Sequence, residues 1–242
     1  LQLGQFAHHA RREVGLGQSN LLMAVLALAA VAGWLRGRDA LPGMLLAAAT
    51  IVKPYAIVFL PYLVVRRKWA GVGGFAGVMA GALVLPALVY GWAGNVGQLR
   101  GWWDVVTSST APNLAGQDNV SIAGMYAAWL GVGAPAGVLS ALTGLGLVAA
   151  CAWAVLRGPR VRVPEYLDAA LLLFVIPLLS PQGWDYVLLV ATPAVMLLLD
   201  RLDEFPQAAR WLLVASLALA GLSFWDVMGR EPYRALMMTR VI

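Results

Sequence analysis

The sequence has few charged residues and almost no cysteine. Only 12% of its 242 residues are Asp, Glu, Lys or Arg, against roughly a quarter in soluble domains, while 61% are hydrophobic and the mean hydropathy is +0.76. The single cysteine, Cys151, excludes a disulfide or a cysteine-based metal site within the chain. The patterns HExxH, CxxC, GxSxG and Walker A are absent. The composition therefore predicts an all-α membrane protein with several spans.

The net charge of +5 reflects membrane topology better than nucleic-acid binding, because the basic residues lie in short clusters between apolar runs. Alternating the runs across a bilayer puts ten lysines and arginines in inner loops and six in outer loops, with Lys53 between. This excess predicts the orientation of the chain in a plasma membrane. The sequence begins at Leu1 without a start methionine or signal peptide. We therefore expect residues 1–242 to form a single transmembrane domain, a fragment that lacks its N-terminal part.

The segment 41–68 places one lysine inside an apolar run that has arginines at both ends. Lys53-Pro54 divides the run into two pieces, each about half the length needed to cross a bilayer. Arg36 and Arg38 before it, and Arg66 after it, predict that both ends lie on the cytoplasmic side. We therefore expect a re-entrant helical hairpin with Lys53 at its apex, since an intramembrane lysine usually serves function. The alternative is a kinked single span whose lysine reaches the nearer interface.

Further apolar runs predict the remaining elements. The sequence predicts spans at 20–35, 71–90, 135–156, 166–179, 187–199 and 208–225, and a half-length apolar stretch at 121–130. Residues 91–120 are expected to form a long polar connection, in which Trp92, Trp102 and Trp103 are candidate interfacial anchors.

Polar residues at the predicted outer side or at the hairpin apex are the candidates for substrate binding. They are Arg11, Arg12, Gln18, Asn20, Lys53, Asp118, Asn119, Gln182, Trp184 and Tyr186, with Asp185 as the candidate catalytic carboxylate. Arginine and lysine bind phosphate, and an aspartate can act as a base toward a hydroxyl group.

Simpler interpretations of these residues remain open. Asp185 can be a carboxylate at a helix start, Asp118 and Asn119 can be ordinary turn residues, and the tryptophans can be membrane anchors.

Several of these segments resemble glycosyltransferase family 87. The resemblance rests on the segments 17–20 (GQSN), 36–39 (RGRD), 43–54 (GMLLAAATIVKP), 66–69 (RRKW) and 180–185 (SPQGWD), and it covers roughly residues 15–199. The resemblance implies a GT-C-like helical bundle with short or re-entrant helices. It further implies a mannosyltransferase that moves the sugar from a polyprenyl-phosphate donor to an extracytoplasmic lipid or glycan acceptor, with inversion at the anomeric carbon.

The resemblance also implies which catalytic residues and cofactors to expect. GT-C enzymes usually carry their catalytic aspartate in the first extracytoplasmic loop, and this chain begins after that region. Family members often have a histidine after the SPxxWD aspartate, where this chain has Tyr186. No metal or cofactor is expected, and membrane lipid is an expected partner of the protein. The alternative function is a membrane transporter or lipid flippase, which also use broken helices. Such a carrier should show inverted-repeat symmetry, and none is visible in the sequence.

Overall fold

The computed structural model describes residues 19–157, 164–222 and 228–239, without the side chains of Ala111, Asp185, Tyr186 and Leu222. These residues form helices joined by short loops, and the only β-type pairing among them is a single bridge. The prediction of an all-α fold is confirmed. The α-helices are α1 Asn20–Leu35, α2 Leu41–Val52, α3 Phe59–Val65, α4 Trp69–Val84, α5 Ala87–Leu114, α6 Ile122–Leu130, α7 Ala134–Arg157, α8 Pro164–Leu179, α9 Thr192–Asp200, α10 Gln207–Leu222 and α11 Arg230–Thr239.

The predicted break at Lys53 is confirmed. α2 ends at Val52, Lys53 is extended (φ −144°, ψ 114°), and a 3-10 helix, Pro54–Val58, leads into α3. Pro54 has no N–H to donate and disfavours helix at the residue before it, so the helical hydrogen bonds stop here.

The chain reverses at this break, as a hairpin requires. A Cβ added to Gly43, near the start of α2, would lie 1.8 Å from the carbonyl oxygen of Gly71. A Cβ on Gly71 would in turn lie 3.4 Å from Leu63, near the end of α3. Both ends of the segment 41–68 therefore lie together, so the segment folds as a hairpin, and its re-entrant position in a membrane stays a prediction.

The core forms where α1, α4 and α8 pack around the two helices of this hairpin, α2 and α3. Its fully buried large side chains include Met23, Leu46, Phe59, Leu63 and Leu173. α1 and α2 pack against each other and are joined at Gly33 and Pro42, where a Cβ on the glycine would lie 3.2 Å from the proline ring. Small residues of this kind let helices approach closely, which is how helices associate in a bilayer.

Two predictions about the middle of the chain are wrong. The helix predicted at 71–90 ends at Val84, and the following helix is bent away from it by 84°. Pro86 explains the break, since its ring cannot occupy a helix interior. The connection predicted at 91–120 is largely helical: α5 runs to Leu114, with one non-helical residue at Gly91 (φ 66°). Its hydroxyl side chains, such as Thr107 and Thr110, bond to carbonyls one turn earlier and so do not interrupt it.

The second half is closer to prediction. α6, α7 and α8 lie within one or two residues of their predicted bounds. The run 187–199 instead splits into a 3-10 helix, Asp185–Ala191, and α9, and the tail after 225 contains α11. Within the described residues, α7 alone is long and apolar enough to cross a membrane, and α4 with α5 qualifies as a bent pair. Five shorter apolar helices accompany them there.

Candidate functional site

Two polar segments meet beyond the carboxyl end of α8, and we call them the polar junction: residues 115–121 and residues 180–184. α8 ends at Leu179 because Ser180-Pro181 follow it, and α5 ends just before Ala115-Gly116. The backbone N–H of Val120 donates to the carbonyl of Gly183 at 2.7 Å, and Asn119 and Trp184 form an isolated antiparallel bridge. A pairing between segments more than 60 residues apart fixes where the chain enters the 3-10 helix at Asp185.

Asn119 lies at the centre of the polar junction and is 1% exposed. Its Nδ2 donates to the carbonyls of Pro181 (2.9 Å), Leu114 (3.1 Å) and Asn113 (3.3 Å). Its Oδ1 accepts from the N–H groups of Ser121 and Gly183, both at 3.1 Å. One neutral side chain therefore bonds to backbone groups on both segments. These bonds satisfy buried N–H and carbonyl groups that would otherwise destabilise the fold.

Two glycines allow the polar junction to be this compact. A Cβ on Gly183 would lie 2.8 Å from the carbonyl of Pro177 and 3.0 Å from the Cβ of Ser121. A Cβ on Gly124, in α6, would lie 2.7 Å from the Cγ of Asn119. Cβ atoms do not tolerate such distances, so any side chain at either position would move its neighbours.

Other polar side chains border the polar junction. Gln182 Nε2 lies 3.4 Å from Thr110 Oγ1 in α5, and the side chains of Gln182 and Trp184 are half-buried. Asp118 accepts a hydrogen bond from the hydroxyl of Tyr233 in α11 at 2.7 Å. The structure thus brings Asp118, Asn119, Gln182 and Trp184 into one assembly, to which α11 adds an outer layer.

Asn20 and Lys53 lie at one end of the α1–α2 pair, remote from the Gly33–Pro42 contact. Asn20 is the first residue of α1 and is fully buried, while Lys53 follows the last residue of α2 and is half-buried. α1 also packs against the 3-10 helix that begins at Asp185. Asn20 therefore belongs to a helix that contacts the segment leading out of the polar junction.

The other end of the bundle carries an ion pair that the sequence analysis did not identify. Both Nε and Nη2 of Arg66 donate to Oδ2 of Asp168, with the Nε bond at 3.1 Å, and Asp168 is 2% exposed. Burial by itself would lower the pKa of Arg66, but the hydrogen bond and charge of Asp168 outweigh it and raise that pKa. The signal in the sequence was a lone carboxylate inside the apolar segment 166–179, which requires a cationic partner.

This end of the bundle, which we call the hairpin base, also holds Trp34, Tyr62 and Lys68. The ring centroids of Trp34 and Tyr62 are 5.7 Å apart, and Lys68 Nζ lies 5.6 Å from the Trp34 ring. The end of α1, the end of α3 and the start of α4 therefore converge beside the basic residues that the sequence predicts to be cytoplasmic.

The remaining predicted site residues fall outside this description. Arg11, Arg12 and Gln18 lie outside the described residues, as do the side chains of Asp185 and Tyr186, whose backbone begins the 3-10 helix. Among the described residues, no group of three or more His, Cys, Asp and Glu side chains is placed to hold a metal ion.

Comparison with known proteins gives one match. The family model described as glycosyltransferase family 87 matches residues 6–181, which is more than two thirds of the chain. The matched region contains the hairpin break at Lys53 and the first part of the polar junction. No match was found among curated proteins or among solved structures.

Proposed function

Because the chain belongs to glycosyltransferase family 87, we propose that it transfers mannose from a polyprenyl-phosphate donor to an extracytoplasmic lipid or glycan acceptor. The family match is the observation that carries this proposal. A donor with a lipid tail suits a protein whose described helices are mostly apolar and whose polar side chains gather at one junction.

We propose a division of roles between Lys53 and Asp185. Lys53 binds the donor phosphate as a point charge, and its extended, half-buried position at the hairpin break supports this role. A carboxylate takes the proton of the acceptor hydroxyl, whose oxygen attacks the anomeric carbon with inversion. Asp185 is the candidate for this base within residues 1–242, and the aspartate that GT-C enzymes usually carry in the first extracytoplasmic loop is the other candidate. The bond from that carbon to the phosphate oxygen breaks, and polyprenyl phosphate leaves with its charge stabilised by Lys53. A phosphate leaves readily, so the step requires no metal.

We propose that Gln182 and Trp184 border the sugar, with Asn20 near the donor phosphate. The half-buried state of Gln182 and Trp184 at the polar junction supports this, as does the packing of α1 on the segment that begins at Asp185. The predicted roles of Arg11, Arg12, Gln18, Asp118 and Tyr186 in substrate binding remain proposals of the same kind.

We also propose that the chain forms one multi-pass domain of the plasma membrane, with the polar junction on the outer side. Single cysteines next to Arg38, Lys68 and Lys53 test this orientation in a background that lacks Cys151. An impermeant thiol reagent applied from outside should spare the first two positions and label the third. Labelling of position 38 from one side and 68 from the other would contradict the hairpin in the membrane.

The activity is tested by measuring transfer from polyprenyl-phosphate mannose with the full-length protein in liposomes. Asp185→Asn should lower the transfer rate at least about 100-fold, because a general base contributes about 10² to 10⁴. Lys53→Ala should also lower it about 100-fold, because a group that stabilises the leaving charge contributes about 10² to 10³. Lys68→Ala removes the same charge at the opposite end of the bundle and should retain transfer. Full activity in both site variants would remove the proposed site, and transfer from a different sugar phosphate alone would correct the donor.

A further inference from the structure

The side chain of Asn119 is fully used by the backbone around it. A carboxamide offers two N–H donors and one oxygen with two lone pairs. In the polar junction the nitrogen faces three carbonyls between 2.9 and 3.3 Å, and the oxygen accepts two N–H groups at 3.1 Å. These contacts leave the carboxamide without capacity for a sugar hydroxyl. An asparagine that sequence analysis assigned to substrate binding therefore has a different task.

We propose that Asn119 is a positioning residue, which holds the turn Pro181–Gly183 against residues 113–121 and so sets the position of Trp184 and Asp185. This inference rests on the proposed function only for the consequence in catalysis. It is carried by the two side-chain bonds of Asn119 that reach this turn, to the carbonyl of Pro181 and from the N–H of Gly183. They act beside the backbone bond from Val120 to Gly183.

The identity of the residue matters because the bonds run in both directions. Three of the five partners are carbonyl oxygens, so an aspartate at 119 would place a carboxylate beside acceptors and lose every donated bond. An alanine would leave the N–H groups of Ser121 and Gly183 and the carbonyl of Pro181 without this partner in a buried place. Neither substitution can hold the turn as asparagine does.

The turn is also confined by close contacts of its own residues, which makes a displaced position costly. Gly183 lies against the backbone of Pro177 and Ser121 so closely that a methyl group would not fit. The side chain of Gln182 reaches Thr110 from the same turn. Trp184 and Asp185 follow directly in the chain, and misplacing a reacting group by about 1 Å can lower a rate about 100-fold.

The test compares Asn119→Ala with Asn113→Ala. Asn113 lies in the same segment, and within the described residues its side chain bonds only to the carbonyl of Ser109 in α5, while its own carbonyl remains available to Asn119. Hydrogen exchange of the peptide that covers residues 180–187 should rise in the Asn119 variant and stay unchanged in the Asn113 variant. Unchanged exchange in Asn119→Ala would overturn the inference, and this measurement does not depend on activity.

Kinetics then separate positioning from substrate contact. Asn119→Ala should lower kcat about 10- to 100-fold and leave the KM for the polyprenyl-phosphate donor within about threefold, because it acts through the reacting groups. A raised KM with unchanged kcat would instead show substrate contact and overturn the proposal. In an Asp185→Asn background the Asn119 substitution should add little, since both act on the same step. If the losses of kcat in the two single variants multiply in the double variant, the two residues act independently and the proposal is wrong.

Two further measurements keep the test decisive if Asn119→Ala does not fold or if the proposed function is wrong. If Asn119→Ala does not fold, Gly183→Ala displaces the same turn and retains the carboxamide, so the same loss of kcat with unchanged KM is expected. An active Gly183→Ala protein with normal kcat would overturn the proposal. Failure of the unmodified protein to transfer mannose would refute the proposed function alone, because the exchange data still decide whether Asn119 holds the turn.

Discussion

The two ends of α8 are held by different chemistry. At its start, Asp168 receives two charged hydrogen bonds from Arg66 and ties α8 to the base of the hairpin. Beyond its end, Asn119 joins two loops through neutral bonds to backbone groups. Between Asp168 and Leu179 the helix rises about 16 Å, so the two arrangements are well separated.

This difference separates an end held by a charged pair from an end held by neutral hydrogen bonds. The charged pair at the hairpin base holds helices together, and its carboxylate, Asp168, is 2% exposed. The polar junction holds its turn through Asn119 and the backbone bond from Val120 to Gly183, and the half-buried Gln182 and Trp184 lie at its edge. Three substitutions test this comparison.

Loss of the ion pair should have the largest effect on stability. Asp168→Ala leaves the Arg66 guanidinium without its partner, and we expect a loss of about 3 kcal/mol, at the lower end of the range for buried pairs because Arg66 is 27% exposed. Thermal unfolding of the detergent-solubilised protein measures this. The double variant Arg66→Leu with Asp168→Leu should recover part of the loss, since it removes both charges.

The exposed pair Asp203–Arg210 provides the control for that result. Asp203 is fully exposed, so Asp203→Ala should leave the unfolding temperature nearly unchanged. Equal shifts for Asp168→Ala and Asp203→Ala would show that the hairpin base does not depend on its charged pair.

Crowding the polar junction should have an intermediate effect. Gly124→Ala adds a methyl group 2.7 Å from the Cγ of Asn119, and overpacking of this kind costs about 1 to 3 kcal/mol. Gly137→Ala, in α7, is the matched control, because nothing lies within 4 Å of its added Cβ. We expect reduced sugar transfer and a lower unfolding temperature only for Gly124→Ala. The same behaviour in both variants would argue against tight packing around Asn119.

Removing the hydroxyl of Tyr233 should have the smallest effect. Tyr233→Phe deletes the 2.7 Å hydrogen bond to Asp118 and should lower the free energy of unfolding by about 1 kcal/mol. Tyr90→Phe is the control, since Tyr90 is 59% exposed and its hydroxyl makes no hydrogen bond within the described part of the chain. If the Tyr233 variant also loses most of its transfer activity, α11 contributes more to the polar junction than a covering layer.

The sequence predicted the helices better than it predicted the loops. Apolar length and proline placed α1 and the Lys53 break correctly, because both signals act on the local backbone. The helical character of 91–114 was missed, since the polarity of that stretch suggested a loop. The sequence does not show that its hydroxyl groups bond to carbonyls one helical turn earlier. The pairing of Arg66 with Asp168 was missed because the two residues lie 102 positions apart.

The sequence by itself determined that this chain is helical and apolar, that its hairpin turns at Lys53, and that it belongs to a glycosyltransferase family. These follow from composition, local backbone chemistry and ordered motifs, which need no knowledge of distant contacts. Only the tertiary structure decided the role of Asn119. A carboxamide can bond to a turn, a sugar or a distant backbone with equal chemical ease, and which of these it does depends on the groups that folding brings within about 3 Å of it.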